Sequence, residues 1–369
     1  PFLNLQAKVR GGNTTTGSGD FFVGAGSTED AKNTLGPSES QIRNEIVPAL
    51  LEALDTETNP DIVTGAMIAL AKIGEASSED GSNAFEQKIA GFLDDGSQEI
   101  GETAAIALGI LASDSSLDVL EALVRNSAEG QKAVGSSEVD ARTQAFAAYG
   151  LGLLGSRTSD IDTKRRIASL VVELLPDADR SARQDLPAAL MISMGLSPLE
   201  PGAAKGEDDE TPYDPTVSLQ GQIDYCLEYL DETDRNFISR AHAPTAAARL
   251  LKHLEQHESY ADYKRKVGEA LMSYLDPKSA KRSEAREIKW SCALSLGLMG
   301  DCDQDEVDVD IREALMDDSD KLQPQGRWFA RIAMANIAVR DGDGEGSADD
   351  IKKAQNDLLE ELLKGLDGG

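Results

Sequence analysis

Large aromatic side chains are scarce in this sequence: Phe, Trp and Tyr make up 5% of its 369 residues, against 40% hydrophobic residues in all. A chain of this length so poor in bulky core residues favours many small cores over a single large one. No uninterrupted apolar run reaches 18 residues, which excludes a helix that spans a bilayer and makes membrane insertion unexpected. Cysteine is limited to Cys226, Cys292 and Cys302. At those spacings they supply neither a disulfide framework nor a paired CxxC metal site, so they are expected to be buried small hydrophobes with at most one bridge. Positive charge is short as well, with 36 Lys plus Arg against 66 Asp plus Glu, a formal net charge of -30 and a pI of about 4.4. That balance opposes nucleic acid, whose affinity for proteins comes from neutralised phosphates, and suits a basic, cation-bridged or largely apolar partner. The chain opens on Pro1 and its first methionine is Met67, so an upstream segment, for instance a removed export signal, is an expectation.

What is present is a repeat. Thr64–Gly74, Thr103–Ala112 and Ala145–Gly155 read as versions of one Ala/Gly-rich helix, and further copies stand at Leu186–Gly195, Trp290–Gly300 and Trp328–Ala338. Their ends are separated by 38, 43, 40, 105 and 38 residues, so the long interval has room for two degenerate units. A period of about 40 residues belongs to stacked helix pairs. Small side chains let such a helix lie close to two neighbours. A second helix follows most copies with apolar residues on one stripe, Leu117, Leu120, Leu123 and Val124 or Ile167, Leu170, Val171 and Leu174, which leaves its other face to solvent. The fold expected is all-α, an α-α superhelix or solenoid of about seven helix pairs, with no strand beyond short ambiguous runs such as Phe21–Val23.

Helix boundaries have their own signals. Ser38 with Gln41 reads as a capping box, Pro48 should bend the first helix or mark its true start, and Asn59 before Pro60 is a cap followed by proline at the first helical position. Asp94-Asp95 and Asp317-Asp318 read as acidic turns ahead of the next helix. Residues 1–37, with Gly11-Gly12 and Gly17-Ser18-Gly19, read as an irregular arm covering the first helix pair. The solenoid is expected over 38–364 and a flexible tail over 365–369. Segments 127–138 and 196–216 interrupt the period. The second carries four prolines and the acidic Glu207–Glu210, and reads as a loop projecting from the stack.

The Ala-rich helix ending in Ala-Leu-Gly-x-Leu-Gly, followed by a short loop, a Leu-striped helix and an Asp turn, resembles the HEAT repeat, in particular the Ala/Gly-rich subtype of bilin-lyase-like proteins. Together with Pro1–Arg10 and Gly19–Gly26, it is also similar to uncharacterised exported bacterial HEAT-repeat proteins. The resemblance implies an armadillo-like solenoid and a periplasmic or cell-envelope location, with the cytoplasm as the alternative. It implies no established activity beyond the chromophore-lyase chemistry of the subtype.

Several patterns mimic chemical sites. Gly150, Gly152 and Gly155 spell a dinucleotide fingerprint but close a helix instead of opening one after a strand, so the repeat explains them. His253 and His257 are four apart, so on a helix they share a face, with Glu258 or Asp262 nearby; His242 lies too far along to join them. They lack an HExxH glutamate and are expected to be solvated. Asp341-Gly-Asp343-Gly-Glu345-Gly346 copies the first half of a calcium loop, with oxygen ligands at positions one, three and five and glycine at six. Position twelve is Lys352, where a closing Glu belongs. The loop is therefore expected to be a flexible acidic connector between two helices with no metal or cofactor assigned, calcium held by Asp341, Asp343 and Glu345 being the alternative, and Asp301, Asp303, Asp305 and Asp308 form a similar cluster without glycine. No nucleophile elbow, Walker loop or triad is visible, so no catalytic residue is assigned.

The function expected is a non-catalytic scaffold for protein–protein interaction or assembly, its partner a protein, a peptide or a second copy. The alternatives are a cell-envelope component that self-associates in a calcium-dependent way and a chromophore-lyase-like enzyme.

Overall fold

The fold comes from a computed structural model, which describes residues 37–74, 83–179, 185–203, 211–319 and 324–367. The arm expected over 1–37 lies outside the described residues but for Pro37, as do the Phe21–Val23 run and the acidic Glu207–Glu210. Every regular element among the described residues is helical, and none of these helices is long and apolar enough to cross a membrane. The chain divides into two compact units, Pro1–Arg157 and Thr158–Gly369, each a row of antiparallel helix pairs of the α-α superhelical class.

The first unit opens with the capping box: Gln41 donates its backbone N–H to Ser38 Oγ (3.2 Å), and Gln41 Oε1 accepts from the Ser38 N–H (2.9 Å). A π-helical turn, Ile42–Ile46, then leads into α1 (Val47–Thr56). Pro48 accounts for it, because proline has no N–H for the regular ladder and its ring crowds the preceding turn. Asn59 caps α2 (Pro60–Ile73) by accepting from Asp61 N–H at 3.0 Å. After α3 (Ala84–Ala90), Asp95 accepts from Ser97 N–H just before α4 (Gln98–Leu111), the acidic turn read from the sequence. The stripe of α5 (Asp114–Val124) is buried at Leu117, Leu120, Leu123 and Val124, each fully buried Leu worth ~2 kcal/mol. Segment 127–138 contains a short helix, α6 (Ala128–Ala133), capped by Ser127. Then α7 (Ala141–Arg157) closes the unit. Helices α2, α4 and α7 lie side by side, and at the α4–α7 seam backbone meets backbone. A Cβ on Gly109 would overlap the Gly150 carbonyl group, and one on Gly150 would lie 2.8 Å from Ala105 O.

The second unit contains α8 (Ile161–Ala178), α9 (Asp185–Leu196), α10 (Leu219–Asp231), α11 (Phe237–Arg240), α12 (Ala243–Leu251), α13 (Tyr260–Leu275), α14 (Arg286–Met299), α15 (Glu306–Ser319), α16 (Pro324–Ala338) and α17 (Ala348–Asp367). Its small-residue row is α9, α12, α14 and α16. A Cβ on Gly195 would lie 2.6 Å from Ala246 Cα, and one on Gly297 would lie 2.5 Å from Ala333 Cβ. Between α12 and α14, Thr245 Oγ1 and Ser295 Oγ are 3.2 Å apart. Helix α12 is the repeat member hidden in the 105-residue interval, whose described residues hold one small-residue helix in place of the two for which there was room. Asp317 and Asp318 are helical residues of α15 and form no turn: negative charge suits an exposed helix face as well as a loop, and neither glycine nor proline stands there to break the helix. The insertion is tied down at both ends. Leu199 N–H donates to Gln222 Oε1 (2.9 Å), Gly202 N–H to Gln220 Oε1 (2.8 Å), and Tyr213 OH to Ala203 O (3.3 Å), and Leu199 is buried. Helix α17 continues to Asp367, past the boundary at 364. All three cysteines are free and buried.

Candidate functional site

The two histidines expected on one helical face are not on one. The helix ends at Leu251, His253 falls in the 3-10 turn Lys252–Leu254 anchored by the buried Leu254, and His257 lies beyond it with Nδ1 2.9 Å from Ser259 Oγ. His242 precedes α12, and burial lowers its pKa below the ordinary value. Gly150, Gly152 and Gly155 lie within α7, as the repeat requires.

Asp341, Asp343 and Glu345 stand exposed on the loop between α16 and α17. Asp341 Oδ1 accepts from Gln355 Nε2 at 2.8 Å. The loop's glycines, more than its carboxylates, define what it does, for they let its backbone rest on the second acidic cluster. Gly342 has φ +84°, and a Cβ there would lie 2.5 Å from Asp303 Oδ2; one on Gly344 would meet the same oxygen at 2.5 Å and overlap Asp305. Hydrogen bonds running in both directions join this loop to the one between α14 and α15. Cys302 N–H donates to Arg340 O (3.0 Å) and Gln304 N–H to Glu345 O (2.6 Å). In the other direction, Gly344 N–H donates to Asp303 Oδ2 (2.8 Å) and Glu345 N–H to Asp305 Oδ1 (2.9 Å).

Three cations serve this hub. Lys264 reaches in from α13, buried, with Nζ 2.6 Å from Asp308 Oδ2 and 3.2 Å from Asp301 Oδ2. Arg312 Nη1 donates to Asp301 O (2.6 Å). Arg340 donates to the carbonyls of Gly297 (2.6 Å), Leu298 (3.0 Å) and Gly300, which places a positive group at the negative C-terminal end of α14. Burial first, then Asp301 and Asp303, outweigh Lys264 and push the Asp308 carboxyl up to about 7. Asp303 is raised by burial and by Asp301 and Asp305, although two backbone N–H groups favour its charged form. Burial also works against the Lys264 charge, but Asp308 and Asp301 hold it above the ordinary lysine value. Asp301, Asp303 and Asp308 each offer an oxygen within 4.8 Å of the others, a spacing that suits a cation, and the Lys264 ammonium already pairs with two of the three. One signal in the sequence points to Lys264: it sits between Tyr260 and Val267 at helical spacing, a lysine inside an apolar stripe.

On another side of α15 lies an open groove of about 310 Å³ lined by Asp276, Pro277, Lys278, Asp310, Glu313, Ala314 and Asp317. Asp310, Glu313 and Asp317 follow one another at three and four residues and share a face, while Ile311 and Leu315 are buried on the opposite one. Among the described residues, none of the four carboxylates of the groove forms an ion pair. Sequence reasoning did not find this groove, because Asp276 and α15 are brought together only by the packing of α13 on α15.

No protein-family model matches the chain, and no curated protein matches it. Among solved structures, the chain is similar to human deoxyhypusine hydroxylase in complex with glycerol, at 16% identity over 89% of this chain and 100% of that one, with a TM-score of 0.32. It is also similar to an engineered protein, at 16% identity over 97% of this chain and 94% of that one, with a TM-score of 0.33.

Proposed function

We propose that the protein is a non-catalytic binding scaffold and that the groove beside α15 receives a Lys- or Arg-bearing segment of a protein partner. The observation that supports this reading is the groove itself: four carboxylates and one lysine around about 310 Å³, with none of the carboxylates ion-paired among the described residues. Unneutralised charge focused in a concave surface steers an oppositely charged ligand and fixes its register. Each exposed pair adds only ~0.2–1 kcal/mol, so several must act together.

The test is titration of a labelled Lys/Arg-rich peptide into the full chain. The triple variant Asp310→Lys, Glu313→Lys, Asp317→Lys should weaken binding about tenfold, the equivalent of ~1.4 kcal/mol. A control triple, Glu45→Lys, Glu52→Lys, Glu57→Lys, makes the same change in net charge on exposed residues of the first unit and should leave the affinity within about twofold. Equal loss in both variants would reduce the effect to bulk charge and sink the groove reading.

A further inference from the structure

The α4–α7 and α14–α16 seams share one register, and that register carries past the last helix of the row. Counting back from the segment ends, Glu102 of α4, Trp290 of α14 and Trp328 of α16 occupy one position of the repeat. In the first two helices this position reaches the next helix of the row: Glu102 pairs with Arg142 of α7 (3.0 Å), and Trp290 lies against Phe329 of α16 with ring centroids 5.7 Å apart. Gly109, Gly297 and Ala335 occupy a second outward position, small in all three helices. Gly109 faces Gly150, and Gly297 faces Ala333. Helix α16 presents the same two positions to solvent, with Trp328 59% exposed, Ala335 exposed, and Ile332 between them at 48%.

The receiving positions are equally regular. Phe146, Phe329 and Gly65 are equivalent, and so are Gly150, Ala333 and Ala69. On α2 these positions are open among the described residues. Gly65 is exposed and a Cβ on it would have nothing within 4 Å, Ala69 and Ile73 are half-buried, and Ile62 is 44% exposed. The charges match as well. In a chain of net charge -30, α16 carries Arg327 and Arg331 and no carboxylate, and Arg331 lies over the Trp328 ring at 5.6 Å. Neither arginine forms an ion pair among the described residues. Asp61 stands exposed on α2 at the repeat position that Arg142 holds in α7, where it would face those arginines.

We infer that α16 of one copy stacks on α2 of a second copy in the register of the internal repeats, with Trp328 entering the hollow at Gly65, so that copies associate head to tail. This surface is separate from the groove beside α15 and does not depend on it. A contact between two different faces leaves one of each free after every addition, so it builds an open chain unless its rotation closes a ring. Tryptophan and arginine are also the residues that most often carry the energy of an interface.

The experiment is sedimentation equilibrium of the full chain over a wide concentration range. The unaltered protein should gain mass above the monomer as concentration rises, into an open series or a closed ring. Trp328→Glu and Gly65→Glu, each at a site with open space, should each be monomeric alone, and a one-to-one mixture should form a dimer and stop there, since each variant keeps one intact face. Circular dichroism melting checks that the variants fold, and Ile332→Glu replaces Trp328→Glu if that one does not. A monomer at all concentrations, association of either variant as in the unaltered chain, or a mixture that stays monomeric would overturn the inference.

Discussion

The α4–α7 seam of the first unit and the hub around Lys264 in the second hold helices together by opposite means. At the seam, Gly109 and Gly150 bring two backbones into contact with no side chain between them. At the hub, loops and helices are joined by a buried lysine, two arginines and four aspartates. The first depends on the absence of atoms and is insensitive to protons. The second depends on charge and changes with pH. The lesson is that one repeat architecture tolerates two chemistries of cohesion, and that they fail under different stresses.

The largest effect should come from the hub. Lys264→Met leaves the buried Asp308 and the half-buried Asp301 without their cation, which should cost ~3–5 kcal/mol at pH 8, read as a lower urea midpoint. The cost should shrink near pH 5, where Asp308 takes up a proton. In the unaltered protein the Asp308 carboxyl, at about 7, stands above its ordinary 3.8, so between those values the folded state holds a proton that the unfolded chain has released. The stability from this group is fully present below about pH 3.8 and is lost as pH rises through about 7. Asp308→Asn should flatten that descent. If the urea midpoint of the asparagine variant still fell over the same interval, another group would be responsible.

The seam comes next. Gly109→Val forces a branched side chain onto the Gly150 backbone and should cost ~1–3 kcal/mol, equally at pH 5 and pH 8. A cost that varied with pH would erase the contrast drawn between the two regions. The smallest effect should be at the cap of α2, where Asn59→Ala removes the acceptor for Asp61 N–H and should lower stability by ~1 kcal/mol.

The two regions also differ in how far the sequence announced them. The seam is written in spacing: small residues recur at helical intervals, and Gly109 and Gly150 both fall in segments recognisable as copies. Helix α12 escaped because Ala243–Leu251 is short, lacks the closing glycine and runs directly into a 3-10 turn. The assembly of the hub is not written in any local pattern, since its members come from 264, 301–312 and 340–345 and meet only through packing. Its aspartates were visible as a cluster, yet their role followed from Lys264, whose place inside an apolar stripe was the one local sign. The calcium-like loop was recognisable by its glycines, whose job here is to admit the carboxylates of another loop. The histidine pair failed for a related reason, since a spacing of four fixes a shared face only where the helix persists.

Gly342 and Gly344 sit on an exposed loop that, by its acidity and accessibility, looks like ground open to any change. Their bare α-carbons are nevertheless moulded against oxygens of Asp303 and Asp305, so an added methyl at either place must push aside a carboxylate that accepts from the loop's own backbone, and at Gly342 it also meets a left-handed φ of +84°. Engineering that treats this turn as free ground, for a tag, a label or an inserted peptide, should spare them.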